Sequence, residues 1–429
     1  MIAVLLATAS TLMVQAAIQW AAPVGHGPEK WVFVTLSSGS TGYYDRAAEV
    51  EDFPAFLNAY DSWIQHQDAL HIGTHPPGLF LLCRTARDLC RARPDLTARV
   101  LATAPAPTLQ ALKVWPRAAQ LGPSDHAAVI LLGWLALAAS ALTTIPLYVL
   151  ARSCGLDPSA SLGVIGLWAV APAAILFQPV SDTLYPSLAV GATALAVLAL
   201  GTRGASPRLT GVVWALVSGM LMGVGMSCTL AFLAVGFNVA LLLAWRGRHR
   251  GERRRTGLTL GWIGLGFVVW TGLTAWVWSC NPLTIWRANL TNHARFYDEY
   301  PRDYAAWVLI NPLEAAVAIG PLAAVAIVAG LVVAGAGLVK RRTESPLANP
   351  WTRSSLPAVA LTTLLVLTLL NVSGRNLSEV ARLWLPLFPM ALTAIGPALA
   401  IGLKATGLIT LGGIFTLFLQ TLVQVVLPV

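Results

Sequence analysis

The sequence predicts an all-α, polytopic membrane protein with a bundle of about eleven transmembrane helices. Of its 429 residues, 56% are hydrophobic and only 11% are charged, whereas soluble domains carry about 25% charged residues. Apolar runs recur along the chain, and their length is close to the ~20 residues that a helix needs to cross a bilayer. The net charge of +9 does not indicate a nucleic-acid partner, because short cytoplasmic loops of membrane proteins are enriched in Lys and Arg.

The predicted spans follow from these apolar runs. They lie at 1–22, 127–151, 159–177, 184–202, 210–226, 229–245, 257–279, 313–339, 356–371, 383–402 and 405–426. The stretch 210–245 would make a helix about 54 Å long, which exceeds one span, so we divide it near Met226–Cys228. The chain then comprises a first transmembrane helix (1–22), a long loop with interfacial helices (23–126) and a bundle of about ten helices (127–429).

Lysine and arginine orient the chain, because they concentrate in short cytoplasmic loops. The segment RGRHRGERRR (246–255) is the strongest marker, and 340–353 follows on the same side two spans later. Three further loops agree with this orientation: they hold Arg152, Arg203 with Arg208, and Lys404. We therefore expect the N-terminus in the cytoplasm. The segments expected to share the extracytoplasmic face are 23–126, 178–183, 280–312, 372–382 and the C-terminus.

Every unusual polar cluster in the sequence falls on this predicted outer face, whereas the cytoplasmic loops are basic and otherwise plain. The simplest explanation of this distribution is that the protein carries out its chemistry on the outer face. The alternative is that outer loops are merely longer and more polar.

The first such cluster, TGYYDRAAEVED (41–52), follows soon after the first span. Asp45 is a candidate general base, since burial by Tyr43 and Tyr44 would raise its pKa toward a useful value. The alternative is a surface carboxylate that caps a helix or pairs with Arg46. Because other acids follow closely, starting with Glu49, the sequence leaves open which acid acts.

The segment HIGTHPPG (71–78) places His71 and His75 four residues apart, as in a helical metal pair. Gly73 and the two prolines argue against a helix there, and no HExxH motif completes a zinc site. We predict no metal site at these two histidines, and expect substrate contacts or structural hydrogen bonds there instead. The following segment, 79–100, combines apolar residues with arginines, which suits either an interfacial helix that meets lipid phosphates or a solvated helix over the loop.

Asp182 lies in a very short outer turn, QPVSDTLYP (178–186). An acid at membrane depth is costly and more often functional than not. The alternative is that Ser181 or Asp182 caps the next helix.

Two later clusters carry the remaining candidates. HARFYDEYPRDYAAW (293–307) could bind a sugar or lipid head group through stacking and through Arg295, or form an interfacial aromatic belt with surface ion pairs. In SGRNLSEVARLWLP (373–386), helical spacing puts Glu379 and Arg382 on one face. Arg382, with Arg375 above it, could neutralise a phosphate; the alternative is a purely local Glu379–Arg382 pair.

The order of these features resembles the GT-C superfamily of integral-membrane glycosyltransferases, and most of all the branch with the protein O-mannosyltransferases and the lipid A aminoarabinose transferases. THPPG (74–78) is similar to the HPP-type elbow of that branch, and YYDRA (43–47) resembles the region of its acidic motif. SEVARLWLP (378–386) looks like a motif of bacterial membrane proteins of this type. The branch usually has paired acids before the tyrosines, where this chain has Ser40 and Thr41, so the identity of the catalytic acid stays open.

The resemblance implies a GT-C-like fold in a bacterial cytoplasmic (inner) membrane. It implies that a sugar passes from a polyprenyl-phosphate donor to a lipid, glycan or protein acceptor on the extracytoplasmic face. Asp45 would deprotonate the acceptor, and Asp182 would orient the acceptor or assist a metal. A divalent cation is the one cofactor that the resemblance allows. The implied substrate contacts are Tyr44, His71, His75, Arg295, Arg375, Glu379 and Arg382, of which Arg375 and Arg382 would stabilise the leaving phosphate.

Two other classes of protein remain consistent with the sequence. A transporter or flippase of a lipid-linked or anionic substrate would need polar residues across the bundle, and the spans are poor in charges at mid-helix. A non-catalytic membrane assembly protein would tolerate replacement of the candidate residues.

Overall fold

The computed structural model describes residues 2–67, 69, 71–201, 209–250, 252–340 and 356–422, and every regular element within them is helical. The predicted all-α class is thereby confirmed, and several of the helices have the length and apolar composition of a membrane protein. The basic markers Arg203 and Arg208, and nearly all of the predicted cytoplasmic loop 340–353, lie outside the described residues.

The α-helices follow one another in this order: α1 Ile2–Trp20, α2 Lys30–Thr35, α3 Tyr43–Glu49, α4 Phe53–Asn58, α5 Tyr60–Trp63, α6 Gly78–Ala92, α7 Pro94–Ala102, α8 Ala106–Val114, α9 Pro116–Ala119, α10 Pro123–Leu142, α11 Thr144–Ser153, α12 Pro158–Ala169, α13 Pro172–Leu176, α14 Tyr185–Leu200, α15 Leu209–Met226, α16 Phe232–Arg250, α17 Arg253–Trp278, α18 Pro282–Glu299, α19 Tyr304–Ile319, α20 Pro321–Lys340, α21 Leu356–Val372, α22 Val380–Leu383, α23 Phe388–Leu392, α24 Gly396–Ala400 and α25 Ala405–Leu422. Short 3-10 turns occupy Ile64–His66, Ser181–Leu184 and Thr393–Ile395.

Five helical stretches among the described residues are long and apolar enough to cross a membrane, or six if one bent pair counts as a span. The five are Ile2–Trp20, Pro123–Ser153, Ser181–Leu200, Leu209–Met226 and Arg253–Trp278. Several other predicted spans correspond to apolar helices that are too short to cross alone, such as α12. The count of eleven therefore stays a prediction.

Two predicted spans are wrong as continuous helices. The run 313–339 is divided between α19 and α20, which meet at Gly320 with a bend of 104°. Gly320 has a φ of +103°, which favours glycine, and the proline that follows it has no N–H with which to continue the helix. The run 383–402 is cut by prolines into short helical pieces. Its irregular backbone is buried almost throughout, which is the condition under which irregular backbone is tolerated in a membrane protein.

The predicted division near Met226–Cys228 is confirmed, because α15 ends at Met226 and α16 begins at Phe232. The break between these helices holds the segment 71–78, which we call the elbow. The N–H of Gly78 donates to the carbonyl of Ser227 over 2.7 Å. A Cβ at Gly78 would lie 2.4 Å from that same oxygen, so only glycine allows this approach. Consistent with the sequence, residues 71–77 of the elbow are not helical, and α6 begins at its last residue, Gly78.

The arginines of α6 are bound by the protein. Arg84 donates to the carbonyl of Val50 and pairs with Asp88, while Arg87 and Arg91 both pair with Asp125 at the start of α10. The opposite face of α6 packs among the buried residues of the 23–126 region. These arginines therefore attach the helix to the rest of the fold, and a role of the helix at the lipid interface stays a prediction.

Two hydrophobic cores meet at the site described next. One belongs largely to the 23–126 region and includes Tyr43 and Phe80. The other belongs to the bundle and includes Tyr185 and Phe232. Cys228, in the break between α15 and α16, packs against both cores, so the elbow is located at their junction.

Candidate functional site

A cluster of two carboxylates and one guanidinium lies between the two cores. Nη2 of Arg382 donates to Oε2 of Glu379 over 2.6 Å, and Nε of Arg382 lies 3.8 Å from Oδ2 of Asp182. The Asp182 and Arg382 side chains are 11% and 14% exposed, whereas Glu379 is 56% exposed. The predicted Glu379–Arg382 pair thus forms, and it is extended inward by a buried acid from a distant turn.

The segment before α22 positions this cluster by an unusual backbone. Ser378 and Glu379 have φ values of +86° and +56°, which are uncommon for residues other than glycine. Glu314 accepts a hydrogen bond from the N–H of Ala381, and Asn311 accepts one from the N–H of Ser378. Because both acceptors belong to α19, that helix fixes the conformation of a loop far away in the sequence.

Tyr43 connects the elbow to the charged cluster. Its hydroxyl donates to the carbonyl of His71 over 3.4 Å, and its ring meets that of His75 with centroids 5.5 Å apart. Burial raises the pKa of Tyr43, with Asp182 adding to the rise and Arg382 opposing it. The hydroxyl of Tyr43 therefore lies within the electrostatic range of both charged groups.

The two elbow histidines are neutral near pH 7. Burial, with a contribution from Arg382, lowers the pKa of His71 to about 3. Burial lowers the pKa of His75 to about 4, opposed by a hydrogen bond to the His71 carbonyl. Since that carbonyl only accepts, Nδ1 of His75 carries the proton in their 2.9 Å bond, and Nε2 is left as an acceptor.

Helix α18 supports the elbow from the other side. Asn289 and Asn292 both donate to the carbonyl of Gly73, over 3.0 and 2.9 Å. The hydroxyl of Tyr297 donates to the carbonyl of Arg375 and accepts from the N–H of Leu377. The same helix therefore contacts both the elbow and the loop that carries Glu379.

Two predicted arginines lie at the edge of this assembly. Arg375 is exposed and makes no ion pair with any described residue, and its charge helps burial to lower the pKa of His293. Arg295 pairs with Glu299 over 3.3 Å, with both side chains almost half exposed. Arg375 is therefore the more available cation beside the cluster.

Asp45 and Tyr44 are not brought to the cluster. Oδ1 of Asp45 accepts from Nε of Arg117 over 3.0 Å, and the hydroxyl of Tyr44 donates to Asp125 over 2.9 Å. Successive residues of a helix point about 100° apart, so Tyr43, Tyr44 and Asp45 have three different surroundings. Burial raises the pKa of Asp45 as expected, although its bond with Arg117 opposes the rise.

Several residues of the site went unrecognised as candidates in the sequence. The sequence indicates Tyr43 only as a cover for Asp45, and it does not single out Tyr185, which lies three residues after Asp182 and is fully buried near it. Glu314 and Asn311 lie in an apolar run, and a polar pair three residues apart in such a run is the one signal that could have indicated them.

The site does not suit a divalent cation. Among the described residues, no group of three or more His, Cys, Asp or Glu side chains converges to hold a metal ion. Asp182 and Glu379, the two carboxylates of the cluster, have the Arg382 guanidinium between them. A cation would have to compete with that guanidinium, so we derive no step through a metal.

Chemically, this arrangement provides a buried carboxylate, a neutral imidazole acceptor and guanidinium groups at one end of the bundle. A carboxylate can accept a proton from a hydroxyl, and guanidinium groups bind and neutralise phosphate. The sequence matches no protein-family model, no curated protein and no solved structure.

Proposed function

We propose that this protein is a membrane glycosyltransferase that moves a sugar from a polyprenyl-phosphate donor to an acceptor hydroxyl. The observation that supports the proposal is the convergence of Tyr43, the elbow, Asp182 and Arg382 from separate segments at one end of an apolar bundle. Buried charge in such a bundle is costly and is retained where it has a function. The GT-C-like fold, the eleven spans, the bacterial inner membrane and the outer location of the site belong to this proposal.

In the proposed reaction, the acceptor oxygen attacks the anomeric carbon of the donor sugar. The bond from that carbon to the phosphate oxygen breaks as the new bond forms, with inversion, and the electron pair leaves with the polyprenyl phosphate. The carboxylate of Asp182 takes the acceptor proton. The guanidinium groups of Arg375 and Arg382 neutralise the leaving phosphate, and Nε2 of His75 accepts a hydrogen bond from a hydroxyl of the substrate.

We assign the base to Asp182 and not to Asp45 because of their surroundings. Asp45 is bound by Arg117, which also bonds Glu49, so this acid acts as an anchor between α3 and α9. Asp182 is buried beside Arg382 and close to Tyr43. In this proposal, the hydroxyl of a lipid, glycan or protein acceptor passes Glu379 and reaches Asp182 beside Arg382.

The experiment compares Asp182→Asn with Asp45→Asn in the full-length chain reconstituted in liposomes. The probes are polyprenyl phosphates carrying radiolabelled mannose, glucose or arabinose, and the readout is released polyprenyl phosphate together with labelled acceptor from added bacterial membranes. Loss of a general base costs about 10²–10⁴ in rate, so Asp182→Asn should lose at least about 100-fold. Asp45→Asn should stay within about tenfold of the unsubstituted chain, because only a partly exposed ion pair away from the cluster is weakened.

Equal turnover by Asp182→Asn and the unsubstituted chain would remove Asp182 from this role. Absence of transfer with every donor would contradict the function itself. Accumulation of intact labelled donor on the far side of the vesicles, without transfer, would favour a transporter or flippase.

A further inference from the structure

Arg382 is shared unequally between two carboxylates. Its Nη2 makes a short bond of 2.6 Å to Glu379, while its Nε is 3.8 Å from Asp182, which is beyond hydrogen-bond distance. With the described residues, the other N–H groups of Arg382 make no hydrogen bond. A guanidinium has five donors arranged as a planar fork, so most of this fork is unused.

The two halves of the Glu379–Arg382 pair differ in their contact with solvent. The arginine side chain is 14% exposed and the glutamate side chain is 56% exposed. The arginine is thus held by its surroundings, whereas the carboxylate of Glu379 can return to water with little loss. Ion pairs with one mostly solvated partner contribute little to stability.

Glu379 does not perform the usual task of a residue at its position. It is the N-cap of α22, yet its side chain makes no capping bond, and Glu314 accepts from the N–H of Ala381 in its place. Its backbone is left-handed, with a φ of +56°. Strain of this kind persists only where the surrounding structure imposes it. Here the carboxylate is directed to the side chain of Arg382 and not to the backbone N–H groups at the start of α22.

We infer that Glu379 is a resting counter-ion for Arg382, and that the phosphate of the substrate displaces it. This inference rests on the proposed function, which supplies a lipid-linked phosphate as ligand: a diester in the sugar donor and a monoester in the departing polyprenyl phosphate. Phosphate matches the guanidinium fork better than one carboxylate oxygen does, since it can accept two parallel N–H bonds. Once displaced, Glu379 is hydrated, and Arg382 stays in place beside Asp182. A purely local ion pair would instead be indifferent to phosphate.

The test measures phosphate affinity with the carboxylate removed. Full-length chain in nanodiscs of zwitterionic lipid is titrated with a radiolabelled short-chain polyprenyl phosphate, with the matching polyprenol and with inorganic phosphate. Glu379→Gln keeps the size of the side chain and removes its charge. We expect a Kd about two- to fivefold lower for both phosphate ligands, the range for loss of a competing exposed ion pair, and an unchanged Kd for the polyprenol.

Glu299→Gln is the matched control, because Glu299 also pairs with an arginine of the same region, Arg295, at similar exposure. Its phosphate affinities should equal those of the unsubstituted chain. An unchanged or higher Kd for phosphate ligands in Glu379→Gln, or no phosphate binding by either chain, would overturn the inference. If Glu379→Gln binds inorganic phosphate more tightly and does not bind polyprenyl phosphate, the displacement of Glu379 is supported and the lipid-linked donor is contradicted.

Discussion

Replacing Gly78 by alanine tests whether the elbow is held in the break between α15 and α16. The Gly78 N–H donates to Ser227 over 2.7 Å. The added methyl would lie 2.4 Å from the Ser227 carbonyl oxygen and 2.8 Å from the sulfur of Cys228. Real Cβ atoms essentially never come that close, so one of the two segments must move. Gly78 is not in the left-handed region, so alanine meets no strain of its own there.

The expected change in the free energy of unfolding follows from two unfavourable contributions and one favourable contribution. Overpacking a tight contact costs about 1–3 kcal/mol, and losing a buried backbone hydrogen bond costs about 1 kcal/mol. Alanine regains at most about 1 kcal/mol through its higher helix propensity. We therefore expect Gly78→Ala to lower the free energy of unfolding by about 1–3 kcal/mol, which corresponds to a Tm lower by about 1–3 °C for a chain of this length.

The assay is thermal unfolding of the detergent-solubilised chain, followed by fluorescence. Gly236→Ala in α16 is the control, because nothing lies within 4 Å of the Cβ it would add. This second substitution should raise the Tm slightly, since alanine favours the helix by about 1 kcal/mol over glycine. Equal Tm changes for the two variants would refute the packing of the elbow against Ser227.

Three further predictions concern the surroundings of the site. The pKa of His75 is about 4 in the folded chain and about 6.5 in the unfolded chain. As the pH drops from 6.5 toward 4, the unfolded chain therefore binds a proton that the folded chain does not, and stability falls. His75→Asn should remove about 1–2 kcal/mol of this loss at pH 5, measured as Tm against pH. Glu314→Ala should lower unfolding free energy by about 1–2 kcal/mol through the bond lost from Ala381, and a Tm equal to the unsubstituted value would exclude that role. Arg117→Ala should lower the free energy of unfolding by about 1 kcal/mol and leave the phosphate affinity unchanged. A higher Kd for phosphate in this variant would indicate that Asp45 belongs to the site.

The sequence predicted those features that depend on local chemistry. The length limit of a span located the break after Met226, and the prolines with Gly73 excluded a helix through the elbow. Composition and the order of polar clusters indicated which segments would carry the candidate site, and four of these segments contact one another at one end of the bundle.

The features that sequence reasoning missed depend on direction and distance. Whether Tyr43 or Asp45 faces Asp182 is decided by the rotation of one short helix, which periodicity alone does not orient. The bend at Gly320 needs a positive φ that apolar composition conceals. The partners of the loop before α22 come from α19, and no local pattern relates Asn311 to Ser378.

The late position in the chain of the residues that bind the elbow also has a consequence for biosynthesis. The carbonyl of Gly73 is bound by Asn289, 216 residues later in the chain, and the carbonyl of His26 is bound by Gln420, 394 residues later. Chains emerge from the ribosome at about 5–20 residues per second, so the 23–126 region waits on the order of ten seconds or more for Asn289 to be made. During that interval the elbow lacks Asn289 and Asn292 of α18, which bind it in the folded chain. The region that emerges early is therefore completed among the last, because its contacts with α18 and α25 form only after those helices are made.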